Sequence, residues 1–202
     1  MRLISVDFQH DFVAPGGVHH RGQPCVEFVM GTVVPFARAH GIAVAEIVSD
    51  YRSPGGNDAD TTCVPGQWGY ESAIPLAVKH PVPWVKASIA PTWVRDGGGR
   101  ADAVPGPAVP DPAGFASWLH ATIGPPDSGG PVVIMGLVLE VCVLATLIEI
   151  RLRGYPAVVL SEGVDTYDGD QGRKSEFLDT LAGFWGQPVT WAECVASFAR
   201  RA

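Results

Sequence analysis

Short runs of consecutive apolar, often β-branched residues recur along this chain, each followed by a longer segment that suits a helix. No other feature constrains the fold as much. The runs span Leu3 to Phe8, Ile42 to Ser49, Val82 to Lys86, Val132 to Gly136, Ala157 to Ser161 and Val189 to Ala192. They are continuously apolar and do not alternate, so both faces of the sheet they form must be covered. That pattern marks parallel strands with helical crossovers and predicts an α/β fold. The helical segments are Pro24 to His40 with Gly41 as a stop, Pro112 to Ile123, Cys142 to Arg153 with Gly154 as a stop, and Gln171 to Phe184.

The chain has 202 residues, for which one domain over 1–202 is the economical reading. The Gly/Pro-rich stretch RDGGGRADAVPGPAVPDP could pass for an interdomain linker, but strand and helix keep alternating across it and neither half completes a sheet. This stretch and the turn-rich SPGGNDADTTCVPG are long for connections inside a compact domain, so both are expected to border a pocket.

Charge narrows the partners. With 21 acidic against 14 basic side chains the formal net charge is −7, a field that repels phosphate backbones and anionic membrane surfaces. The apolar opening is interrupted by Asp7, and the most apolar internal stretch is broken by Glu140, Glu149 and Arg151, so neither a secretory leader nor a membrane span is expected and the cytoplasm is the expected location. Cys25, Cys63, Cys142 and Cys194 form no CxxC pair and are expected to remain thiols.

In open α/β sheets ligands bind beyond the carboxyl ends of the strands, so polar residues at those ends carry the most information. Asp7 ends the first run, Lys86 ends the third, and Cys142 follows the fourth after a tight connection. A thiol becomes a nucleophile at neutral pH when a base or a cation assists it. Asp7 can accept its proton, Lys86 can stabilise the anion, and the dipole of the helix that Cys142 opens favours negative charge. The Cys142 amide and one from the preceding turn could form an oxyanion hole. Taken singly, a buried cysteine is commonly structural and a lone Asp or Lys is commonly a cap or a solvated charge; the three gain meaning as a set.

The segments DFQHDF, CVPGQWG, VKAS and GLVLEVCVLATLIEIRLRGY, in this order, resemble the motifs of the isochorismatase-like cysteine hydrolases. The resemblance spans nearly the whole chain, and its most specific part is the last block, with Cys142, Thr146 and the Gly154-Tyr155 pair. It implies a three-layer α/β/α architecture with a six-stranded parallel sheet, an Asp7-Lys86-Cys142 triad, and a cis peptide at Leu137-Val138 that aims the Val138 and Cys142 amides at the substrate carbonyl. Phe12, Trp68, Ile89 and Trp93, with Leu137 and Leu139 of the turn before the nucleophile, are expected to line the substrate pocket.

The chain also departs from that family. Nicotinamidases carry a metal site of Asp-x-His and a His before a Cys, where this sequence has Asp50, Arg52 and Thr62, so no metal or other cofactor is expected. The expected activity is hydrolysis of a small-molecule amide or carbamoyl C–N bond through a thioester. The alternatives are a nicotinamidase or pyrazinamidase, and a non-catalytic interaction module on the same fold. The helix from Cys142 is apolar nearly all round, which points to a homodimer or larger homo-oligomer.

Overall fold

A computed structural model describes residues 1–52, 62–104 and 106–200. Its centre is a parallel sheet of β1 (Arg2–Val6), β2 (Val44–Ser49), β3 (Trp84–Lys86), β6 (Val132–Gly136) and β7 (Ala157–Val164) in the order β3-β2-β1-β6-β7. From β1 the chain builds outward to β2 and β3, then returns to add β6 and β7 on the other side. The order therefore reverses between β1 and β6, and the crevice at their carboxyl ends is where this class of sheet binds ligands.

Apolar residues of each strand feed two cores. Ile4, Val6, Ile47 and Ile134 point to one face, under α4 (Pro112–Ile123), α5 (Leu144–Leu152) and α6 (Gln171–Phe184). Leu3, Val44, Val133 and Met135 point to the other, packed with Val29, Val33 and Ala37 of the first long helix and Cys194 of α7 (Trp191–Ala199). Covering both faces explains why the strands carry no polar alternation, and it gives the α/β/α layering.

The helix from Pro24 forms as α2 (Pro24–Phe28) and α3 (Val34–Ala39), joined by a π-helical turn over Val29–Val33. Gly41 takes φ 62° and Gly154 φ 82° at the two expected stops, the left-handed backbone that glycine adopts without a Cβ penalty.

The sixth run gives only a bridge. Val189 pairs in parallel with Leu160, and then Thr190 caps α7. The Thr190 side chain and that of Glu193 form a capping box, which satisfies the first free amides of a helix and converts Trp191 and Ala192 from strand to helix. Among the described residues the sheet thus has five full strands. The Gly/Pro-rich stretch contributes β4 (Trp93–Val94) and β5 (Val109–Pro110), an antiparallel pair beside the main sheet. The turn-rich stretch from Ser53 lies largely outside the described residues. A short α1 (His10–Val13) follows β1. No helix among the described residues is long and apolar enough to cross a membrane.

One core position carries a titratable group. Glu46 of β2 is buried, accepts a hydrogen bond from Ser72 Oγ, and lies 3.3 Å from Lys79 Nζ. Burial pushes its carboxyl above the ordinary range, a shift that Ser72 and Lys79 only partly offset. The folded state therefore binds this proton more tightly than the unfolded chain does. Its stabilising contribution is complete in acid and is lost as pH rises from the ordinary carboxylate range through the raised value. The Glu46→Gln variant keeps the acceptor for Ser72. Its melting temperature relative to the native protein should rise between pH 4 and pH 7 in parallel thermal melts; a difference independent of pH would contradict this account.

Candidate active site

Three strand ends and one helix start meet at the switch point. Asp7 follows β1 directly with φ 51°, a left-handed conformation that Asp tolerates better than most residues, and it is fully buried. Its amide donates to the Ile47 carbonyl at 2.8 Å, which continues the β1–β2 ladder by one residue. Lys86 ends β3, also fully buried, and its Nζ lies 2.9 Å from Asp7 Oδ2. The same Nζ is 3.3 Å from Cys142 Sγ, so acid, amine and thiol converge as the strand-end argument anticipates.

Cys142 sits in a π-helical turn, Leu139–Val143, that runs into α5. The helical stretch begins three residues earlier than expected, with Val138 as its cap, and Cys142 lies in its first turn. The Leu137–Val138 peptide is cis. The preceding Gly136 adopts φ 126°, and Leu137 donates its amide to the Val6 carbonyl at 3.0 Å, which ties the turn before Cys142 to the end of β1.

Two hydroxyls complete the cluster, and the sequence reading passed over both. Ser49, the last residue of β2, donates from Oγ to Asp7 Oδ1 at 2.8 Å and accepts from Lys86 Nζ at 2.6 Å. Gln9 clamps it there, since its side-chain amide donates to the Ser49 carbonyl at 3.0 Å and its Oε1 accepts the Ser49 amide at 2.8 Å. Tyr51 accepts a hydrogen bond from Lys86 Nζ at 2.7 Å and has its hydroxyl 3.4 Å from Cys142 Sγ. Hydroxyls just past a strand end carry no spacing signal of their own, and only the register of β2 against β3, with Ser49 opposite Lys86, brings them in.

Electrostatics set the resting protonation state. Burial alone would lower the pKa of Lys86, but Asp7, then Tyr51 and Cys142, hold it well above its ordinary value, so it stays an ammonium. Burial pushes the Cys142 thiol up to about 11; the Asp7 charge adds to the rise, and Lys86 and the Tyr51 hydrogen bond oppose it. At neutral pH Cys142 is thus a thiol. Asp7 Oδ2 faces the Lys86 charge yet takes no aligned hydrogen bond, which leaves it a lone pair for an incoming proton.

The remaining sequence-predicted residues divide by exposure. Phe12 is buried and stacks on His19 with ring centroids 5.0 Å apart. Leu137 and Leu139 are fully buried, in the cores on opposite faces of the sheet. Trp68, Ile89 and Trp93 are exposed, by 49%, 50% and 43%. A cavity of about 480 Å³ lies elsewhere, lined by Met1, Pro131, Val133, Val158, Val189 and Phe198 near the amino ends of the strands. It holds none of the converging groups, which gather at the carboxyl edge of the sheet instead.

No protein-family model matches the sequence, and no curated protein is significantly similar to it. Solved structures do match in shape. An isochorismatase family protein from Desulfovibrio vulgaris superposes with a TM-score of 0.66 at 17% identity, covering 99% of this chain and 98% of that one. The nicotinamidase/pyrazinamidase of Bacillus subtilis gives 0.64 at 18%, covering 94% and 100%. The chain has the isochorismatase-like fold. A third structure of this fold, the pyrazinamidase of Pyrococcus horikoshii in complex with zinc (TM-score 0.62, 18% identity, 94% and 98% covered), prompts the question of a metal here.

The donors do not fit one. Asp50 is held by Arg52, whose Nε donates to Oδ1 at 2.9 Å and whose Nη2 meets Oδ2 at 2.5 Å. The buried Arg95 brings a second guanidinium within 3.8 Å of the same carboxylate and donates to the Asp50 carbonyl at 3.0 Å. Thr62 Oγ1 is instead 3.3 Å from His19 Nε2. Two fixed cations around one carboxylate repel a divalent ion, and no trio of His, Cys, Asp or Glu among the described residues is grouped to ligate one.

Proposed function

We propose that this protein is a cysteine hydrolase that cleaves an amide or carbamoyl C–N bond of a small molecule through a thioester, without a metal. The observation that carries the reading is the buried convergence of Asp7 and Cys142 on Lys86 Nζ, at 2.9 and 3.3 Å. Asp7 takes the thiol proton on Oδ2, which keeps a lone pair beyond its contact with Lys86, as the sulfur attacks the carbonyl carbon. Lys86 remains protonated and offsets the charge that moves from carboxylate to sulfur. Amides of the Val138–Cys142 turn receive the oxyanion. The proton held by Asp7 then leaves with ammonia or an amine. Water enters, gives Asp7 a proton as it attacks the thioester, and the carboxylate returns that proton to the departing sulfur.

The likeness in fold to the Bacillus subtilis nicotinamidase/pyrazinamidase favours an amide over other acyl substrates. The Arg52–Asp50 pair argues against a metal-supported nicotinamidase. Retention of all three reactive groups argues against a non-catalytic module on this fold. The reading takes the chain as one hydrolase domain acting in the cytoplasm, where its four free thiols would persist. It also takes the chain as a homodimer or larger homo-oligomer, with the half-open apolar stripe of Leu144, Ile148 and Leu152 on α5 as the meeting surface.

The test is a screen of primary amides, including nicotinamide, and of carbamoyl compounds for ammonia release, run on the native chain with and without a chelator and on Cys142→Ala. The expected result is a substrate whose turnover survives chelation and falls to background in Cys142→Ala, a loss on the order of 10⁴-fold or more. Equal release by the native chain and the variant would remove the mechanism, and loss of turnover on chelation would restore the metal-dependent reading.

A further inference from the structure

We infer that Tyr51 is a fourth catalytic residue of this centre, a hydrogen-bond donor to the sulfur of Cys142 that Lys86 holds in place; this rests on the cysteine-hydrolase reading above. An ammonium has only donors, so at the 2.7 Å contact the Tyr51 oxygen must accept from Lys86. The phenolic proton is then directed elsewhere, and the Cys142 sulfur, 3.4 Å away, is the partner in reach. The same ammonium lies 4.9 Å from the ring centroid, at the hydroxyl end of the ring.

A hydrogen bond to an anion is about twice as strong as one between neutral groups. Tyr51 therefore binds the thiolate of the attacking state more strongly than the resting thiol, which is the differential that accelerates a reaction. Burial raises the pKa of Tyr51, so its hydroxyl keeps its proton to donate. The other groups around the sulfur act differently. Asp7 at the end of β1 opposes the thiolate and Lys86 on β3 favours it. Cys63, in the segment before Trp68, is held as a neutral thiol by burial. Glu140, on the helical stretch of Cys142 itself, is engaged by the Tyr167 amide at 3.0 Å. Among the described side chains around the sulfur, Lys86 and Tyr51 favour the anion, and Tyr51 is the neutral one.

The experiment is the pH dependence of Cys142 alkylation by iodoacetamide in the full chain, followed by mass spectrometry of the peptide that carries Cys142. Tyr51→Phe keeps the ring while removing the hydroxyl. Its alkylation midpoint should move up by roughly one pH unit or more, the effect of losing one hydrogen bond to a charged group. For a substrate found in the amide screen, kcat should fall about tenfold to a hundredfold with KM little changed. A site-specific Tyr51→3-fluorotyrosine variant has the same shape and a more acidic phenol, so its midpoint should move down; if thermal unfolding shows that Tyr51→Phe does not fold, this variant decides alone. An unmoved midpoint, or movement in the opposite direction in either variant, overturns the role of Tyr51. If turnover depends on Cys142 but the midpoints do not move, Tyr51 alone is wrong. If the midpoints move as described but nothing is hydrolysed, the hydrolase reading is wrong and the Tyr51 contact stands. A Cys142 that is not alkylated at any pH overturns both.

Discussion

Lys86→Met is expected to abolish turnover and, at the same time, to cost the fold about 3–5 kcal/mol, the penalty for stranding one charge of a buried pair. Methionine fills the space of the lysine stem but offers no cation, and both Lys86 and Asp7 are fully buried with 2.9 Å between their charges. In the variant Asp7 keeps the Ser49 hydroxyl as its donor and nothing balances its charge. Protonating the carboxyl relieves that penalty, so the stability lost relative to the native chain should be smaller at pH 4 than at pH 8. Denaturant unfolding at the two pH values measures this, and an equal loss at both would mean that Asp7 is not the charge left behind. Turnover should fall with stability because the same ammonium supports the sulfur, 3.3 Å away, during attack. A variant that folds at pH 7 and still releases ammonia at the native rate would remove Lys86 from the mechanism.

Gly136→Ala carries the largest expected cost to folding. Gly136 ends β6 at φ 126°, a backbone region closed to residues with a Cβ, and an added methyl would overlap the carbonyl oxygen and amide nitrogen of Val6 on the neighbouring strand. Those are main-chain atoms of the central strand and cannot move aside as a flexible side chain could. Either β1 and β6 separate where their ladder ends, or the turn to Cys142 is rebuilt. We expect a loss above about 4 kcal/mol, or failure to accumulate as folded protein. Circular dichroism and thermal unfolding of the purified variant check this, and a melting temperature within a few degrees of the native chain would show that the strands have room to part.

The layered parallel sheet was legible because burial on both faces leaves a mark in sequence, the largely apolar, non-alternating runs at β1, β2, β6 and β7. Asp7, Lys86 and Cys142 were legible for a related reason: a polar residue where such a run stops stands out from its surroundings. Ser49 and Tyr51 also follow an apolar run, but a hydroxyl there has many ordinary uses, and what recruits them is the pairing of β2 with β3. Arg95 was missed for the same reason, since its partner Asp50 is distant in the chain. At Val189 the local apolar pattern suggested a strand that the capping box of Thr190 and Glu193 cuts short, a competition between two local signals in which the helix start prevailed. In the Gly/Pro-rich stretch, turn composition hid the two-residue pairing of Trp93–Val94 with Val109–Pro110.

The ammonium that joins acid to thiol is carried by the sheet's narrowest margin. β3 is three residues long and lies at one edge; among the described residues its ladder is with β2, and on its outer side Val85 and Ala87 donate to the Gly99 and Trp93 carbonyls, while the strands that carry Asp7 and lead to Cys142 are adjacent in the interior. Local opening begins where few pairings hold an element, so Lys86 depends on this border, which the packing of Trp84 against Phe115 and Trp118 helps to hold. The working lifetime of the centre is then governed by how firmly a short rim segment is held.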